Sequence, residues 1–138
     1  MASFAERISA DKWDGARCDD VEILQPTAGD VERCLNELDD AIRTIVTLDG
    51  PGGSYLTVGG GQGRYIVFAS PSQETFWNLI NEDAEKASTV LLNCGGQQAD
   101  YPARQVVDMW SALQAARTFF FTGKRDPSLS WELQQHPI

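Results

Sequence analysis

The 138-residue chain has one histidine, three cysteines and no apolar run near membrane-spanning length. Each shortage narrows the chemistry open to it. His136 stands close to the C-terminus, where fraying makes a poor place for a general base. With no second histidine, the body of the chain builds neither a Ser-His nor a Cys-His pair for nucleophilic catalysis. Cys18, Cys34 and Cys94 are odd in number and show no CxxC spacing. That argues against a disulfide framework and offers no metal-ligand pattern. Reduced thiols are expected, with Cys34 and Cys94 as small core residues among apolar neighbours. A membrane-spanning helix needs roughly 20 apolar residues in a row. The opening MASFAERISA carries Glu6 and Arg7 where a secretory signal keeps an unbroken apolar stretch. The expectation is a soluble, cytoplasmic protein forming one domain over residues 1–138, with no cofactor and no metal.

Basic residues are also scarce. Eleven Lys and Arg face 20 Asp and Glu, a net charge of −9, and the pI is about 4.4. Residues 1–49 hold twelve of the acids and only five of the bases. Such a surface repels nucleic acid and anionic membrane and attracts a basic protein. Acidity also serves simply to keep a protein in solution.

What is present reads as an ordinary globular chain, 42% hydrophobic and 22% charged. Residues 1–19 are polar and mixed and assign to no element. Val21 to Gln25 alternates as a strand does. In PTAGDVERCLNELDDAI, Thr27 and Asp30 form a capping box. Val31, Cys34, Leu35, Leu38 and Ile42 then follow the spacing of one buried helix face, with Glu32, Glu37, Asp39 and Asp40 on the wet side. The period then shortens. AIRTIVTLDG, SYLTVGG and GRYIVFAS are β-branched runs separated by Gly and Pro, an antiparallel meander that ETFWNLI extends. Asn81 to Ser88 is a polar connection. TVLLNC reads as a buried strand that turns at Gly95-Gly96 into QQADYPARQVV, whose Pro102 restricts it to an edge. Val106, Met109, Leu113, Ala116 and Phe120 mark a second amphipathic helix, widened by Trp110, Ala112 and Phe119. Gly123 is its C-cap and Pro127 prevents continuation. SLSWEL supplies a last strand before a tail at residues 134–138. The fold class is α+β: an antiparallel sheet of about five to seven strands covered on one face by two amphipathic helices.

Gly59 to Gly63 poses the one question of phosphate chemistry. A Walker loop needs Lys and Ser or Thr after its glycines and then a helix, and a dinucleotide fingerprint also opens a helix. Here Arg64 and Tyr65 follow and lead into strand formers, so the glycines mark a hairpin turn or bulge. Carboxylates are plentiful, but their places on polar faces and loops suit solvated charge better than acid–base catalysis. No catalytic residue is expected. Trp110 reads as core. Trp77, near Glu74, Glu82 and Asp83, suits either core packing or a half-exposed place at a protein interface.

The C-terminal half carries a more specific pattern. It has a strand, Gly95-Gly96, Asp100 to Ala103, a helix ending in Phe119 to Phe121, then Arg125, Pro127 and a strand with Trp131-Glu132. Over residues 54–133 this order and spacing resembles the family numbered first among the small immunity proteins of bacterial polymorphic toxin systems. The resemblance implies a non-catalytic cytoplasmic protein that binds and neutralises a cognate toxin, commonly a nucleic-acid deaminase domain, and touches neither nucleic acid nor membrane itself. On that reading an acidic rim of Asp19, Asp20, Glu82, Asp83 and Asp100, with Trp77 and Tyr101 as anchors, is the expected toxin interface. The alternatives are a non-catalytic domain for a small ligand or another cellular protein, a small carboxylate enzyme, and a self-associating structural domain.

Overall fold

From Ile45 to Leu79 the chain reverses direction at each glycine cluster, so consecutive strands become neighbours. The computed structural model describes residues 3–72, 75–85 and 87–134. Its elements are β1 (Arg7–Ala10), β2 (Trp13–Asp14), β3 (Arg17–Cys18), β4 (Val21–Leu24), α1 (Ala28–Asn36), β5 (Ile45–Asp49), β6 (Tyr55–Gly61), β7 (Arg64–Ser72), β8 (Thr75–Leu79), β9 (Thr89–Cys94), β10 (Gln97–Pro102), α2 (Met109–Thr122) and β11 (Trp131–Leu133). Seven of the strands form one antiparallel sheet in the order β11-β8-β7-β6-β5-β1-β4. The fold is therefore α+β, as expected. His136 and Glu74 lie outside the described residues.

The expected meander is β5 to β8. Its register aligns Val46 with Val58 and Val67, and Leu48 with Leu56 and Ala69, so one face is apolar throughout. Gly61 pairs with Arg64, which leaves Gln62 and Gly63 as the turn, both at positive φ (55° and 85°). A two-residue turn of that kind matches the right-handed twist of its strands. Gly60 has φ +105°, and a Cβ there would stand 2.4 Å from the Arg64 carbonyl oxygen. The glycine run thus solves a problem of backbone approach and leads into strand β7.

One piece of the unassigned N-terminal segment, β1, lies inside the sheet, while β2 and β3 pair with each other. β1 sits between β5 and β4, with Ile8 opposite both Leu48 and Ile23. Only Ile8 and Ala10 of RISA mark its buried face, too short an alternation to read from sequence.

Both helices pack on the apolar face, where Val31, Cys34 and Leu35 of α1 and Ala112, Ala115, Ala116 and Phe119 of α2 meet the sheet. The capping box is present: Asp30 N–H donates to Thr27 Oγ1 (3.1 Å) and Thr27 N–H to Asp30 Oδ2 (2.8 Å). Helix α1 stops at Asn36, however, and Ile42, expected on its buried face, is 49% exposed. The cause is Asp39, whose Oδ1 accepts from the N–H groups of Ala41, Ile42 and Arg43. A side chain that takes three backbone donors ends the helical pattern. Burial alone would raise that carboxyl, but these three bonds hold it below its ordinary value.

A second correction concerns Trp110, expected in the core and in fact 67% exposed. Helix α2 starts at Met109 behind the N-cap Asp108 and ends at Gly123, φ 73°. At about 100° per residue, Trp110 lies nearly opposite the stripe of Ala112, Ala115 and Phe119. Small residues, not the largest one, face the sheet. A third correction concerns β9. It joins β10 in a separate two-stranded sheet; Leu92 is fully buried, but Leu91 is 52% exposed. Among the described residues no helix is long and apolar enough to cross a membrane.

Candidate binding face

The two faces of the seven-stranded sheet are covered unequally. Strand alternation sends Ile45, Thr47, Tyr55, Thr57, Ile66, Phe68, Phe76 and Asn78 away from the helices. On that side the β9–β10 hairpin packs, and there Leu92, Ile66 and Val106 form a small second core with Phe68, Val90, Cys94 and Tyr101 against it. Tyr55 and Phe68, edge to face at 6.2 Å, continue the apolar surface beyond the hairpin.

The hairpin is tied at both ends. At its tip, the Gly96 N–H donates to Thr44 Oγ1 (3.0 Å), and that hydroxyl donates to Asp11. Asp11 is 4% exposed and also accepts from the N–H groups of Thr44 (2.7 Å) and Ile45 (3.0 Å) and from Trp13 Nε1 (2.7 Å). A buried carboxylate survives only with such a set of donors. Alongside, the Asn93 N–H donates to Asp40 Oδ1 (2.6 Å). At the base, Asn81 N–H donates to the Arg104 carbonyl (2.6 Å), and Tyr65 and Val107 exchange backbone bonds (3.0 and 2.8 Å). The hairpin approaches the sheet tightly at Gly59, where a Cβ would stand 2.7 Å from Cys94 Sγ.

Between the fixed hairpin and the open sheet lies a groove of about 580 Å³. Ile45, Ile66, Phe68, Phe76, Cys94 and Tyr101 form its apolar walls; Asn78, Gln105 and Gln134 bring amides to it. Desolvation pushes the Cys94 thiol up to about 11, and desolvation together with the neighbouring Cys94 pushes the Tyr101 phenol up to about 12. Both are neutral across the physiological range, so the groove walls carry no charge. Next to it is a smaller dent of about 250 Å³ lined by Arg7, Ser9, Asp11, Asp20, Glu22 and Thr47, and Ile45 belongs to both.

The residues expected at an interface fall in separate places. Tyr101 lines the groove and Asp20 the dent. Asp19, exposed beside it, pairs with Arg17 (3.4 Å). Asp100 neighbours Tyr101 on β10 and, paired with Leu91, faces the opposite side of the hairpin. Glu82 and Asp83 line a different concavity near the start of α2, with Asp108 and Ser111. Trp77, paired with Ala69, lies on the helix side of the sheet under the Arg125 guanidinium, 3.6 Å from the ring centroid. Sequence reading missed Phe68 and Phe76. Their signal was the alternation itself: Phe68 stands between Val67 and Ala69, which already fill the helix side. Among the described residues, no group of three His, Cys, Asp or Glu side chains is placed to hold a metal ion.

Residues 19–133 match the family model described as immunity protein Imm1. No curated protein matches the chain.

Proposed function

This chain belongs to the Imm1 family of immunity proteins, and from that premise we propose that its cognate toxin is a basic nucleic-acid deaminase domain, which it neutralises in the cytoplasm by covering the active site or nucleic-acid groove. The family match carries the reading, since an immunity protein implies a toxin partner. The charge supports the finer choice. A domain that grips nucleic acid presents a basic groove, and a body with net charge −9 competes with nucleic acid for it and speeds encounter. Inhibition is by occupancy. The chain contributes shape, acids and apolar contact, and no group on it performs a reaction on the toxin.

The groove volume also lies within the roughly 300–1,000 Å³ of small-molecule sites, which favours a small-ligand domain as a second reading. Co-expression with a panel of deaminase toxins separates the two. The expected result is a one-to-one complex, loss of deamination and rescue of growth. A chain that leaves every toxin active, while its groove takes up a metabolite, refutes the immunity reading in its deaminase form.

A further inference from the structure

The apolar groove and the acidic dent share Ile45 and open on the same uncovered sheet face. Resting on the reading above, we propose that this double concavity is the toxin-docking surface, taking a toxin segment that sets an apolar side chain in the groove and a neighbouring Lys or Arg in the dent.

The groove supplies the apolar half. Phe68, Phe76 and Tyr101 are each only partly covered; Tyr101 belongs to the hairpin fixed by the Asp11 and Asp40 bonds, and Phe68 and Phe76 to the sheet beneath it. Rigid, half-covered aromatic walls are where a partner's side chain gains most from expelling water. The amides of Asn78, Gln105 and Gln134 match the backbone polar groups that such a segment must bring with it.

The dent supplies the charge and so selects the occupant. Three carboxylates, Asp11, Asp20 and Glu22, face one guanidinium, Arg7. Arg7 is already held by Asp49 through Nε (3.1 Å) and a terminal nitrogen (3.0 Å), and reaches Glu22 only at 4.0 Å. The donors of Thr44, Ile45 and Trp13 occupy Asp11. Asp20 and Glu22 therefore present negative charge beside an apolar slot. A cation next to an apolar side chain complements both features. Nucleic acid and anionic lipid are repelled, and a second copy of this chain brings a further −9 to an acidic surface.

The test uses an inactivated form of whichever deaminase toxin forms the one-to-one complex, with affinity measured by calorimetry. Asn78→Arg places a long cation across the groove, and the separate variant Gln105→Arg does so from the other wall. Each is expected to weaken binding about a hundredfold. Asp20→Lys with Glu22→Lys, both exposed, is expected to cost about tenfold and to flatten the salt dependence. Glu82→Lys with Asp83→Lys, at the distant concavity, is expected to stay within about twofold, the usual scale for charges outside a contact. Circular dichroism establishes that each variant is folded. If the folded groove and dent variants bind like the parent chain, this inference fails and the immunity reading stands. If the parent chain binds no toxin in the panel, the deaminase reading fails and this inference falls with it. A homodimer that the groove variants dissociate also overturns it, because the occupant is then a second copy.

Discussion

Asp126 shows how one residue ties two consecutive elements, α2 and β11, to each other. Its carboxylate accepts from Thr118 Oγ1 (2.6 Å) and Gln114 Nε2 (2.9 Å) of α2, and from the N–H (2.8 Å) and Oγ (2.6 Å) of Ser128. Its carbonyl accepts from Trp131 Nε1 (3.0 Å) on β11. Burial alone would push this carboxyl up, but the bonds from Ser128, Thr118 and Gln114 outweigh it and hold it at about 2. Because the folded value lies below the ordinary 3.8, the unfolded chain takes up the proton first as pH falls. Its stabilisation is therefore complete above about pH 4 and is lost between about pH 4 and 2. Asp126→Ala is expected to cost about 1–3 kcal/mol at neutral pH, because it leaves the half-buried donors of Gln114 and Thr118 without their acceptor. In urea titrations the difference between parent and variant should shrink toward pH 2. A constant difference across that range excludes this role.

At the scale of elements, packing set the helix phase and side-chain size did not. Ala112, Ala115 and Ala116 are fully buried because small residues let α2 approach the sheet closely, and this leaves Trp110 on the solvent side. Trp110→Ala is expected to change the unfolding free energy by less than about 0.5 kcal/mol, as for exposed sites. Ala116→Leu, which forces three extra carbons into the same interface, should cost about 1–3 kcal/mol. Thermal melts of the two variants check this; a large loss for Trp110→Ala would mean that the tryptophan packs inside. The hairpin β9–β10 follows the same logic. TVLLNC has the composition of a buried strand, yet it covers the sheet with one face only, so Leu91 and Asp100 look outward together.

For the whole molecule, the uneven charge matters more than any single acid. The N-terminal 49 residues carry most of the excess, and β1, β4 and β5, which they build, form one side of the uncovered sheet face. A basic toxin should then associate at a rate that falls about tenfold or more as salt rises from 20 to about 300 mM, while dissociation changes little. Stopped-flow mixing measures both rates. An association rate indifferent to salt would show that the charge does not steer the encounter.

Local patterns determined what local physics controls. Thr27 with Asp30 announced the start of α1, the alternation from Ile45 to Leu79 announced a meander, and Gly59 to Gly63 announced a turn. Each depends on neighbours within a few residues. The order of motifs from Gly95 to Glu132 also pointed to the immunity family. Tertiary structure alone decided that β1 enters the sheet between β5 and β4, that Trp110 faces water, and that Tyr101 and Asp20 share a face while Trp77 lies behind it. Those outcomes follow from contacts between residues far apart in the chain. Which face a side chain finds covered is settled only when the whole sheet has chosen its neighbours.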